Sequence, residues 1–163
     1  MQQLALVFLD RVAGGRGPGV ALELHAEVES LVATLRKLYR ARGLDIACRM
    51  DQAIRFHGDR EDLLELCGNL LDNACKWARS RVLVTARGGN GIVLTIADDG
   101  PGCSPEGLEQ IARRGVRLDE TTEGHGLGLA IAGNIASSYG AEISYGRSRE
   151  LGGFEVTVTF PAA

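Results

Sequence analysis

This sequence has no hydrophobic run long enough to cross a bilayer. The longest unbroken one, Leu4 to Leu9, falls far short of the roughly 20 residues that a spanning helix needs. Nothing in it reads as a signal peptide. Basic excess is also missing: the net charge is −3 and the pI about 5.6, which argues against a protein that tracks a nucleic-acid backbone. Paired-cysteine motifs are absent as well. Cys48, Cys67, Cys75 and Cys103 make no CxxC, so they read as reduced core thiols rather than a zinc centre, for which spacing and nearby histidines are lacking. Repeats and low-complexity tails are likewise lacking.

What is present suits one globular domain. The chain has 163 residues, 45% hydrophobic and 24% charged, enough for a single core and too few for two comfortable ones. Residues 2–13 are helix-like but apolar on nearly every side, and "GGRGPG" at 14–19 reads as a linker. A short strand at "VALEL" precedes a helix expected from about Glu27 to Ala41, stopped by Gly43. Two β-like pieces, "LDIACRM" and "IRFH", lead to Asp59, an N-cap candidate for a helix that runs to about Ala78. "RVLVTAR" and "GIVLTIADD" read as a hairpin about "GGN". A Gly- and charge-rich stretch then holds at most a short helix near Glu106 to Ala112. A second long helix, "GLGLAIAGNIASSYG", and two closing strands, "AEISYGR" and "FEVTVTF", complete the chain.

Three patches carry chemistry. In "NLLDNACKWA", helical spacing puts Asn69, Asn73, Lys76 and Trp77 on one face of a helix that is apolar elsewhere. Amide oxygens there can ligate a hard cation, and Lys76 can meet phosphate; the same asparagines would equally serve as caps for backbone groups. In "DDGPG", Asp98 ends an apolar strand and can accept from an exocyclic amine, while Gly100 and Gly102 let a flat ring approach. An ordinary turn has the same composition. In "GHGLGL", Gly124, His125, Gly126, Leu127, Gly128 and Leu129 open a helix whose first N–H groups can seat phosphate. Alone that pattern is weak, and its spacing is not that of a dinucleotide fingerprint.

The order of the three patches resembles the ATP-binding domain of sensor histidine kinases, in the superfamily that includes gyrase B, Hsp90 and MutL. "NLLDNACKW" matches that family's N box, "DDGPG" its G1 box and "GHGLGL" its G2 box, with "GGF" at 152–154 where a last Gly-rich box stands. "GNLLDNACKW", "ADDGPG" and "RRGVRLDE" look most like the PhoQ type. The resemblance implies an α+β, two-layer Bergerat fold: a mixed, mostly antiparallel sheet on about three helices, with a mobile ATP lid spanning roughly 101–125. Residues 1–19 would be the remnant of a dimerisation helix and linker, and 20–163 the catalytic domain.

The same resemblance implies the roles. Asn73 would ligate Mg²⁺, Asn69 would assist at metal or phosphates, and Lys76, Arg114 and Arg117 would neutralise the phosphates of ATP. Trp77 would lie beside the nucleotide and Asp98 would recognise adenine. Departures are Ala112, where an aromatic residue is common, and Cys103 after the G1 box. Hydrolysing relatives carry glutamate at the position of Asn69, which cannot act as a base. His25, His57 and His125 all lack the acidic–basic–Pro context of a phosphoacceptor. The expected protein is thus the cytoplasmic catalytic domain of an inner-membrane, two-component sensor kinase. It would bind Mg²⁺-ATP, label a separate dimerisation domain and signal to a response regulator, without contact to nucleic acid or membrane. A same-fold ATPase or anti-sigma-type serine kinase, and a nucleotide-gated interaction module, are the alternatives.

Overall fold

A computed structural model describes residues 21–114 and 127–162, with 112–114 described by their backbone alone. In chain order the elements are β1 (Ala21–Glu23), α1 (Leu24–Leu38), a 3₁₀ turn (Arg40–Arg42), β2 (Asp45–Met50), β3 (Arg55–His57), α2 (Arg60–Trp77), β4 (Arg81–Gly89), β5 (Gly91–Asp98), α3 (Pro105–Arg114), α4 (Leu127–Ser138), β6 (Glu142–Arg147) and β7 (Phe154–Phe160). The main sheet has the order β2-β4-β5-β7-β6, and β1 pairs with β3 in a separate ribbon. Among the described residues only the β2–β4 pairing is parallel, so the sheet is mixed and mostly antiparallel. The expected apolar segment at 2–13 and linker at 14–19 lie outside the described residues.

Period-2 patterning makes the sheet one-sided. Phe154, Val156, Val158 and Phe160 of β7 are buried while Glu155, Thr157 and Thr159 are half-buried or exposed, and Ile92, Leu94 and Ile96 of β5 share the covered face. That face meets the helices. α2 supplies Leu63, Leu66, Leu70 and Leu71, each at most 1% exposed, and α1 adds Val28, Leu31 and Val32. Fully burying each such side chain contributes about 1.5–3 kcal/mol. The result is the two-layer arrangement the sequence implied, with one helix more than expected because α3 is regular from Pro105 to Arg114. No helix among the described residues is long and apolar enough to cross a membrane.

Both ends of α2 are held by named groups. The Asp59 carboxylate accepts from the Glu61 and Asp62 amides at 2.8 and 3.2 Å, a cap worth about 1 kcal/mol. At the other end the Arg42 guanidinium donates to the Cys75 carbonyl at 2.5 Å and to that of Ala78, so a cation satisfies last-turn carbonyls at the negative helix end. Gly43, with φ 62°, closes the 3₁₀ turn that carries Arg42. α1 starts at Leu24, three residues before the expected Glu27, because its N-cap, Glu23, makes no side-chain cap that a sequence pattern could reveal.

The cysteines are free thiols. Burial pushes those of Cys67 and Cys75 up to about 12, which keeps them protonated and unreactive in the core. Cys48 and Cys103 are only half-buried but pack against the core's edge.

Candidate nucleotide site

α2 carries the polar face that the spacing predicts. Asn69 and Asn73 are buried, at 7% and 6% exposed, while Lys76 and Trp77 are half-buried. The Asn69 amide nitrogen donates to the Glu65 carbonyl one turn back, at 2.9 Å. Capping and ligation are therefore not exclusive, since this bond uses the nitrogen and leaves the side-chain oxygen available. That oxygen looks across to the start of α4: a Cβ placed on Gly128 would stand 3.6 Å from it. The N box and the second glycine cluster meet at this point.

The carboxylate end of the candidate site is built where β5 stops. Asp98 is completely buried, and its Oδ1 accepts from the amides of Gly100 at 2.8 Å and Phe154 at 3.3 Å. Its Oδ2 is equally buried and has no hydrogen-bond partner among the described residues. A buried carboxylate oxygen without a donor is costly, and a ligand amino group would satisfy it. Burial pushes the Asp98 carboxyl above its ordinary range and the neighbouring Asp99 adds to this, while the two amides pull it back.

Glycine is needed here for close approach rather than for turning. A Cβ on Gly100 would collide with the Trp77 carbonyl, and one on Gly153 would stand 2.5 Å from Asp98 Oδ1 and 2.6 Å from the Gly100 amide. The end of β5 is thus pressed directly against the end of α2. Gly102, at φ 71°, is in the left-handed region, and a Cβ on it would stand 3.6 Å from the Gly153 carbonyl carbon.

Asp99 locks the connection from α2 to β4. Its carboxylate accepts from the amides of Arg79, Ser80 and Arg81 at 2.8, 3.0 and 3.0 Å, and from the Ser80 hydroxyl at 2.7 Å. Behind the polar face, the Tyr39 hydroxyl donates to Asp72 at 2.6 Å, tying α1 to α2. Neither support was evident in the sequence, because Tyr39 and Asp72 lie far apart along it, and so does Asp99 from residues 79–81.

Along α2, Asn69 and Trp77 are separated by about 12 Å at 1.5 Å per residue. Asp98 and Gly100 adjoin the Trp77 end and Gly128 the Asn69 end. The side chain of Leu129 is 1% exposed and belongs to the core, which leaves its backbone N–H, the group the sequence pointed to, for a ligand. Leu127 is half-buried at the first position of α4. Of Arg114 only the backbone is described, at the end of α3. Arg117, Gly124, His125 and Gly126 lie outside the described residues. A cavity of about 660 Å³, lined by Phe56, Ile92, Tyr139 and Phe160 among others, lies by the start of β5 and shares no residue with this site.

Residues 58–163 match the family described as histidine kinase-, DNA gyrase B-, and HSP90-like ATPases. This chain belongs to that ATPase family. Its ATP-binding domain is 45% identical over 152 residues to the sensor protein kinase CarS of Pseudomonas aeruginosa, covering 93% of this chain and 34% of that protein. It is 35% identical over 157 residues to the sensor protein PhoQ of Escherichia coli, covering 94% and 32%. The chain thus spans about a third of the curated relatives it matches. Among solved structures, the catalytic domain of histidine kinase ThkA superposes with a TM-score of 0.76 at 19% identity, covering 88% of this chain and 96% of that one. Full-length ShkA in complex with AMPPNP gives 0.74 at 22%, covering 99% and 37%. The ATPase family accounts for the fold and for ATP as the ligand.

The donor set on α2 suits Mg²⁺. The Asn73 amide makes no hydrogen bond to another described residue, and Asn69 keeps its oxygen free. One or two neutral oxygens beside a triphosphate match a cation that holds most of its shell as water and phosphate.

Proposed function

We propose that this domain binds Mg²⁺-ATP along the polar face of α2 and passes the γ-phosphate to a histidine on a dimerisation domain of the same kinase, in the cytoplasmic part of a membrane-bound sensor that signals to a response regulator. The observation that supports the reading best is Asp98 Oδ2, a buried acceptor with no partner among the described residues. Asp98 would accept from the adenine amine, with Trp77 at the ring edge, Gly102 giving access and Gly100 letting the end of β5 close on α2.

Asn73 would hold Mg²⁺, with Asn69 assisting there or at the phosphates, and when bound the ion neutralises phosphate charge. Lys76, half-buried on the same face, would add a point charge, and the backbone N–H groups at the start of α4 would receive phosphate oxygens. Arg114 and Arg117 are the candidate cations of the lid. Phosphoryl transfer needs alignment and charge neutralisation more than covalent chemistry. An amide at position 69 cannot take a proton from water, so hydrolysis is slow and the phosphoryl group is kept for the imidazole.

The reading is tested by mixing this chain with a dimerisation-helix fragment and radiolabelled ATP. Label appears on the helix fragment and none on the chain alone. An unlabelled helix fragment would turn the reading into that of a nucleotide-gated binding module, and rapid steady turnover by the chain alone into that of an ATPase.

A further inference from the structure

Away from the nucleotide face, three side chains of metal-ligating type converge. His25 and Glu29 are one turn apart on α1, with the imidazole Nε2 3.8 Å from Glu29 Oε2. Cys48 comes from β2, and one ligand atom from each of the three lies within 4.8 Å of the others. All three are half-buried. Ligands about 2.0–2.3 Å from a tetrahedral zinc stand about 3.3–3.8 Å apart, so only a small contraction would be needed. The sequence had argued against zinc because no histidine lies near a cysteine. The fold removes that objection by laying the first turns of α1 across β2.

The surroundings also orient the carboxylate. Arg36 donates to the Ile46 carbonyl of β2 at 2.6 Å and reaches Glu29 Oε1 at 3.5 Å. One oxygen of Glu29 therefore faces a fixed cation while the other is turned to His25. Outer partners of this kind position metal ligands. Imidazole with thiolate selects borderline-soft ions over Mg²⁺ or Ca²⁺.

We propose that His25, Glu29 and Cys48 form a site for zinc or a similar transition-metal ion, which fastens α1 to the edge strand β2. The three side chains supply three ligands and water the fourth. Binding is a clamp between the first helix and the sheet, separate from the Mg²⁺ chemistry of the Asn73 face.

Cobalt(II) is the probe, added to the reduced 163-residue chain with excess Mg²⁺ present. The expected result is a thiolate-to-cobalt charge-transfer band that saturates at one equivalent and is displaced by zinc. Cys48→Ser abolishes the band and Cys103→Ser leaves it intact. Because loss of an outer partner alone weakens metal sites about 10–100-fold, His25→Ala and Glu29→Gln each lower the affinity by at least about tenfold. Zinc raises the melting temperature of the native chain and leaves that of Cys48→Ser unchanged, and ATP binding by each variant reports that it is folded. The site is overturned if no charge-transfer band forms, if the band survives Cys48→Ser, or if His25→Ala and Glu29→Gln bind cobalt as tightly as the native chain.

Discussion

The side-chain oxygen of Asn69 faces Gly128 across the junction of α2 and α4, 3.6 Å from where a Cβ on that glycine would sit. An alanine there meets the oxygen in ordinary van der Waals contact, and in a helix it is worth up to about 1 kcal/mol over glycine. Gly128→Ala therefore keeps or raises the melting temperature. It narrows the phosphate seat, so calorimetry finds ATP weakened more than adenosine. Equal loss for both ligands would place the triphosphate elsewhere.

Asp98→Asn keeps an acceptor for the Gly100 and Phe154 amides, so the domain folds. It replaces the partnerless Oδ2 by a donor that faces the adenine amine, and affinity for ATP falls by roughly 10–100-fold, the worth of one buried, mispaired hydrogen bond. Titration calorimetry with ATP and ADP measures it. Because burial raises this carboxyl, native affinity also declines on acidification at a higher pH than an ordinary aspartate would set.

Gly153→Ala has no benign outcome. Its methyl group would stand 2.5 Å from Asp98 Oδ1 and 2.6 Å from the Gly100 amide, and neither backbone nor a doubly bonded carboxylate can step aside. Urea denaturation should show a loss of about 2 kcal/mol or more, together with loss of nucleotide binding. Gly146→Ala, with open space around the added carbon, is the control for sequence change alone.

Stability in acid follows Asp99. Burial acts to raise its carboxyl, but bonds from Ser80, Arg81 and Arg79 outweigh that and hold it at about 2, below the usual 3.8. Its folded-state value is depressed, so its contribution is fully present above pH 3.8 and is lost as the pH falls through about 2. Allowing for solvent screening, about 1–2 kcal/mol is at stake. Chemical denaturation of native and Asp99→Asn chains between pH 5 and pH 2 should show a gap that closes over that window.

Elements with local signals were readable from the sequence. Asp59 announced the start of α2, the β-branched runs of β4 and β5 announced the hairpin, and Asn69 and Asp98 stood out because polar residues interrupt apolar patterns. Contacts between distant segments left no such trace. The Tyr39–Asp72 bond, the grip of Arg42 on the end of α2 and the meeting of His25 with Cys48 each join residues more than twenty positions apart. No period of 2 or 3.6 reports on pairs of that kind. The burial of the Leu129 side chain was hidden for a related reason, since a glycine-flanked leucine at a helix start gives no sign of which way its side chain points.

The close packing of Gly100 on Trp77 and of Gly153 on Asp98 has a pharmacological corollary. If Asp98 is the adenine seat, a flat aminoheterocycle would meet a carboxylate already held in place by two backbone amides, with one oxygen left to reward it. Discrimination among relatives that share such a seat would have to come from chemical decoration reaching past the tryptophan, toward surfaces that differ from one protein to the next.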